Sequence, residues 1–241
     1  ATVDDGSCIY GPILSQIDLP ITWDDSTVDY TVTDFGGAIS SLSQDPLNSS
    51  NSVLMTDKAV GSQSWAGTTL STSNGFVNAI PFTSGSTTMT AHVYSPSAGV
   101  IVRLKAEDHT NSGISVETEA ITTVSNGWNT LVFDFANEAN GTAAIDFANT
   151  YDKLSIFYSF GSSPSASEIY YLDSVFFGGV APAANTADLT LSVNTANIAV
   201  GPNGMYAGGG VLGNAMAVPL SDPDGDGIWD GTVTVNVGTS G

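Results

Sequence analysis

The 241 residues predict an all-β chain: a jelly-roll β-sandwich followed by a second, incomplete β-sandwich module. Two observations predict it. Gly, Ser, Thr, Asn and Asp punctuate the chain every few residues, and no segment sustains a 3.6-residue apolar period. What recurs is alternation of apolar and polar residues over short runs, as in strands with one buried face. Many short strands parted by turn residues suit a sandwich or jelly roll. With 41% apolar residues the chain can bury a core. No run approaches the ~20 consecutive apolar residues of a membrane span.

Taken in order, residues 1–16 read as the end of a Cys-containing linker, and Ala1–Gly11 is too acidic and polar for a signal peptide. Cys8 is the only cysteine, so no disulfide can close within this chain. Residues 17–178 form the first domain. Its strands are read at Thr88–Tyr94, Val100–Glu107, Ile114–Ile121, Thr130–Phe135, Leu154–Tyr158 and Ile169–Phe176. Residues 179–187 have linker composition, small side chains around Pro182. Residues 188–241 read as a strand (Leu189–Val193), a glycine-rich loop (Gly201–Gly213), an acidic turn (Asp222–Gly227) and a strand (Thr232–Val237). So short an all-β piece is marginal alone, and further domains of a longer parent chain are expected.

Charge narrows the partners. There are 24 acidic residues against 4 basic ones, a net charge of −20. Nucleic-acid binding needs a basic footprint that is lacking here, and anionic membranes or polysaccharides meet a repulsive field. A neutral ligand is the easier partner.

The informative stretch is Val100–Thr110 followed by Ile114–Ala120. Alternation sends Val102, Leu104 and Ala106 one way and Arg103, Lys105 and Glu107 the other. On the next strand Ser115, Glu117 and Glu119 oppose Ile114, Val116 and Ala120, with Asp108 and His109 at the connection. Upstream, Met89, Ala91 and Val93 alternate with Thr90, His92 and Tyr94. The expectation is one polar sheet face gathering His92, Tyr94, Arg103, Lys105, Glu107, Glu117 and Glu119. Fixed charges beside aromatic rings are what sugar recognition needs. A solvated face with cross-strand ion pairs is the plain alternative. Trp65, in a loop-like setting, is either a stacking platform or a plug at the sandwich edge. Trp128 and Trp23 are assigned to the core edge and a core cap.

Residues Ile21–Phe177 resemble a jelly-roll carbohydrate-binding module of the galactose-binding-like type. The likeness is carried by Ile21-Thr-Trp-Asp-Asp25, Val102–His109 with Val116–Glu119, Gly127–Phe135 and Tyr170–Phe176. It covers about two thirds of the chain. It implies a polysaccharide-binding module beside glycoside hydrolases of marine bacteria, secreted or at the cell surface. It also implies a structural Ca²⁺ between Asp24 or Asp25 and Asp173, hard oxygen ligands from distant segments; solvated turn carboxylates are the alternative. Ala1–Tyr10 resembles the end of a Cys-containing repeat of secreted Bacteroidetes proteins, which implies an upstream disulfide partner for Cys8. Leu189–Val237 resembles half of a starch-binding-like sandwich.

The segment Ser221–Asp230 spaces Asp222, Asp224, Asp226 and Asp230 like positions 1, 3, 5 and 9 of a Ca²⁺ loop, but position 12 is Val233 instead of Glu. An acidic β-turn is the favoured reading. No nucleophile elbow, metalloprotease helix or phosphate loop is present. Glu117 and Glu119 lie beside Arg103 and Lys105, which keep carboxylates ionised, whereas a glycosidase acid needs a raised pKa. A lyase built on His92, His109, Tyr94 and Arg103 is the catalytic alternative. The expectation is therefore a non-catalytic module for a neutral glycan of β-glucan type, with a Ca²⁺-stabilised adhesion module as the competing reading.

Overall fold

The structure, a computed structural model, describes residues 13–179, 186–209, 212 and 215–236. Cys8 and most of the 179–187 segment lie outside the described residues. The chain divides into two compact units, Ala1–Ala181 and Pro182–Gly241.

Unit 1 is a two-sheet antiparallel sandwich preceded by a short parallel pair, β1 (Ser15–Gln16) and β2 (Val28–Asp29). The first sheet runs in the order β3 (Thr33–Phe35), β6 (Gly67–Thr69), β11 (Lys153–Phe157), β8 (Ile101–Asp108), β9 (Asn111–Ile121). The second runs β10 (Gly127–Asp134), β7 (Thr88–Ser95), β12 (Glu168–Phe177), β5 (Asn48–Lys58), β4 (Ala38–Asp45). The chain crosses between the sheets after β3, β5, β6, β7, β9, β10 and β11, the back-and-forth path of a jelly roll.

Alternation dictates what fills the space between the sheets. Val102, Leu104 and Ala106 of β8 meet Met89, Ala91 and Val93 of β7, all fully buried. Leu154, Ile156, Leu131, Phe133 and Leu172 complete the middle of the core. Each Val, Leu, Ile, Phe or Met among them contributes about 1.5–3 kcal/mol when fully buried. Trp23 is also buried, and its indole N–H donates to the Asp173 carbonyl at 2.7 Å.

Near the β4–β5 side the interlayer turns polar. The Thr68 hydroxyl donates to Asp34 Oδ1 at 2.8 Å, and Ser40 Oγ lies 2.7 Å from Thr68 and 2.9 Å from Thr56. Lys58 is buried there, its ammonium donating to the carbonyls of Tyr158 and Ser159 at 2.8 and 2.9 Å. Burial pushes its pKa down, opposed by the charge of Glu168.

Unit 2 contains β13 (Thr186–Asn194) paired with β16 (Ile228–Asn236), and β14 (Met205–Ala207) paired with β15 (Val218–Leu220). Leu189, Leu191 and Val193 stand opposite Val233, Gly231 and Trp229 on one face; Asp188, Thr190 and Ser192 stand opposite Thr234, Thr232 and Asp230 on the other. A Cβ on Gly231 would come within 2.5 Å of Leu220 Cδ2, so glycine is what lets β15 cross here.

Candidate functional site

The outer face of the first sheet carries the predicted charged rows. Arg103 is opposite Glu119 and Phe157, Lys105 opposite Glu117 and Ser155, and Glu107 opposite Ser115 and Lys153. The Arg103 guanidinium donates through Nη1 to Glu117 at 2.8 Å and through Nε and Nη2 to Glu119 at 2.9 and 2.6 Å. Its carbon lies 3.5 Å from the centroid of the Phe160 ring, a cation–π contact that fixes the plane of the fork. Lys153 Nζ donates to Glu107 Oε1 at 2.6 Å, and Lys105 pairs with the other oxygen.

Glu107 is itself sealed, 6% exposed. Burial alone would raise its pKa, but bonds from Lys105 and Lys153 and their charges hold it below the usual range. Among the described residues three of the four cations of the chain, Arg103, Lys105 and Lys153, thus meet three glutamates on one face. The face is locally neutral on a molecule of net charge −20.

Beside the charges lies an aromatic row that alternation alone did not single out. Phe157 follows buried Ile156 on β11 and shares the outer side of that strand with Lys153 and Ser155; it is 8% exposed, edge-on to Phe35 at 5.2 Å and to Phe160 at 5.7 Å. Phe35 in turn stacks with Trp65, centroids 6.3 Å apart and planes within 14°. Gly67 makes the row possible. A Cβ there would lie 2.4 Å from the Ile156 carbonyl and 2.9 Å from Phe35 Cζ. Trp65 is 48% exposed and stands in the β5–β6 loop. At the end of β8, His109 Nδ1 is 2.6 Å from Asp152 Oδ2, and its backbone N–H donates to Oδ1 at 2.9 Å. Asp108 accepts from the backbone N–H and hydroxyl of Thr110, bonds that lower its pKa.

His92 and Tyr94 are not on this face. Strand β7 pairs with β10 and β12, so both side chains emerge from the second sheet, on the opposite side of the sandwich. The expected shared face does not form: alternation holds within β7 and within β8, but the chain changes sheets between them. On that second outer face Tyr94 stands edge-to-face with Trp128 at 5.8 Å and with Tyr171 at 5.5 Å. Trp128, assigned from sequence to the core edge, lies on this outer row, its indole N–H donating to Asp45 at 3.2 Å. His92 packs against Phe176, and burial lowers its pKa.

The carboxylates assigned to calcium sort differently. Asp24 accepts from the Ser52 N–H at 3.0 Å, whereas Asp25 is turned into its own loop by the Thr27 N–H and hydroxyl. The Asp173 carboxyl is pushed up to about 6 by burial and by the charges of Asp24 and Asp45, against a bond from Asn51. In unit 2, the oxygens of Asp222, Asp224 and Asp226 lie within 4.8 Å of one another. Asp222 also accepts from the N–H groups of Gly225, Asp226 and Gly227. Asp230 stands apart on β16, accepting from the Ser192 hydroxyl.

No family model matches the chain, and no curated protein matches it. Solved structures do. A mutant family 29 carbohydrate-binding module is similar over 66% of this chain and 89% of its own, at 12% identity and a TM-score of 0.41. The family 11 carbohydrate-binding module from Clostridium thermocellum, in complex with a β-1,3-1,4-mixed-linked tetrasaccharide, covers 65% and 92% at 13% identity, TM-score 0.43. An exo-β-agarase matches 70% of this chain over 25% of its own, at 10% identity and TM-score 0.46.

Proposed function

We propose that unit 1 is a non-catalytic carbohydrate-binding module, holding a secreted or surface protein and its further domains on a polysaccharide laid across the outer face of the first sheet. The observation that carries this is the exposed Trp65 ring, backed by Phe35, Phe157 and Phe160 and standing beside Arg103 and charges already in balance. Flat rings suit the apolar faces of pyranoses, and fixed ionic groups suit hydroxyls. Arg103 uses three of its five N–H groups on glutamates, which leaves two beyond those bonds for a ligand. Each cation is matched by carboxylate, so the face offers directional hydrogen bonds without net attraction for anions. A neutral glycan follows. Glu117 and Glu119 both serve the same guanidinium, which suits a positioning role better than acid–base chemistry.

Affinity gel electrophoresis of the full chain in laminarin, mixed-linkage β-glucan, xylan, mannan, agarose and carrageenan tests the reading. Retardation by at least one neutral polymer and not by carrageenan is expected. Trp65→Ala and Arg103→Ala each remove it without lowering the melting temperature by more than a few degrees. Migration unchanged in every gel would sink the proposal.

The calcium expected from the resemblance is proposed at Asp24 and Asp173, now joined by Asp45. A carboxyl raised by burial first and then by the charges of Asp24 and Asp45 is a setting that a divalent cation relieves. Its contribution there is charge compensation. A rise in melting temperature on adding Ca²⁺, lost in Asp173→Asn, is the expected result.

A further inference from the structure

We infer that the sandwich carries a second glycan site on its opposite face, in the groove beside Tyr94 and Tyr171. The inference rests on the carbohydrate-binding reading above and extends it from one face to two. An open groove of about 410 Å³ lies where the loop after β7, the loop before β10 and the start of β12 converge. Tyr94 and Tyr171 form its aromatic walls, their rings 5.5 Å apart and at 85°. Pro46 and Pro96 bound it, with Asn126 and Glu168 among its polar groups beside Ser97 and Ser167.

The ring geometry suits a pyranose. Two aromatic planes at right angles make a corner in which one ring lies against the apolar face of a sugar while the other packs against its edge. Asn126 offers an amide with both donor and acceptor atoms, and the Glu168 carboxylate is held by the Tyr170 hydroxyl at 2.8 Å. Among the described residues no cation lines the groove, so anionic groups meet only carboxylate there while neutral polyols find hydrogen-bonding partners. The volume falls within the range of small-ligand sites and accommodates one or two sugar rings. Tyr94, expected from alternation on the same face as Arg103, is delivered by the fold to a separate concavity.

A chain that grips glycan on two opposite faces is bivalent and joins two polysaccharide strands. The test is calorimetric stoichiometry on the full chain with oligosaccharides cut from laminarin, mixed-linkage β-glucan and mannan, together with turbidity of the parent polymers. Two sites per chain are expected for the sugar that binds. Arg103→Ala leaves one of them, Tyr171→Ala leaves the other, and the double variant leaves none; the turbidity from cross-linking vanishes in either single variant. Tyr171→Ala also loosens the ring row, so Ser97→Trp, placed on an exposed loop residue lining the groove, fills it without touching the core and has the same effect. One site in the wild type, abolished by Arg103→Ala and untouched by Ser97→Trp, would overturn the second site while leaving the first. Binding of none of these sugars by the wild type overturns the carbohydrate reading itself.

Discussion

Lys58 and Asp173 show what single residues reveal when burial and charge conflict. The Lys58 ammonium sits in the polar end of the interlayer with two carbonyls as acceptors. Lys58→Met keeps the volume but leaves those carbonyls unpaired, an expected loss of about 2–4 kcal/mol read by urea denaturation. Asp173 behaves in the opposite sense. Its folded pKa, about 6, is above its unfolded value, so the native state holds the proton more tightly. The stability it confers is fully present below about pH 4 and is lost as pH rises through 6. In EDTA, the wild type should lose stability between pH 4 and pH 6 relative to Asp173→Asn, whose profile lacks this component. Parallel profiles for the two proteins over that window would remove Asp173 from the account.

At the scale of strands, Gly67 decides whether the aromatic row exists. The β6 backbone passes directly beneath Phe35, and any side chain at 67 collides with the Ile156 carbonyl. Gly67→Ala should lower stability by about 2 kcal/mol or more and weaken glycan retardation at least tenfold, because Phe35 loses its seat and Trp65 its stacking partner. Strands β7 to β12 were legible in the sequence because their apolar residues alternate cleanly. Strands β4 and β5 were not: Ala38–Asp45 and Asn48–Lys58 are rich in Ser, Asn and Gln and imitate turn composition. They are strands because β12 lies alongside β5 and β5 alongside β4. The same gap explains His92 and Tyr94. Periodicity reports which face a side chain takes within its strand, never which sheet that strand joins. The charged rows of β8 and β9 were legible because those strands form a hairpin and pair with each other.

For the molecule as a whole, a net charge of −20 coexists with a neutral working face. Long-range attraction then has no part in binding a neutral polymer, and salt should matter little. Affinity for a retarding glucan is expected to change less than twofold between 0.05 and 0.5 M NaCl. A steep loss over that range would point to an anionic ligand and contradict the pairing of every cation on the face.

One backbone contact bears on how such a module would carry load. Ile21 and Val175 exchange both main-chain bonds, 2.8 and 2.9 Å, with the Trp23 indole fastened two residues away to the Asp173 carbonyl. The segment after β1 is thereby stitched to the end of β12. Val175 belongs to β12, which also pairs with β7 through Phe176 and Phe177, so a pull from the C-terminal side is shared between this stitch and the second sheet. Under tension from an anchored polymer, this two-bond clasp should part before the longer β8–β9 and β8–β11 ladders, which leaves the charged rows of the first sheet in place.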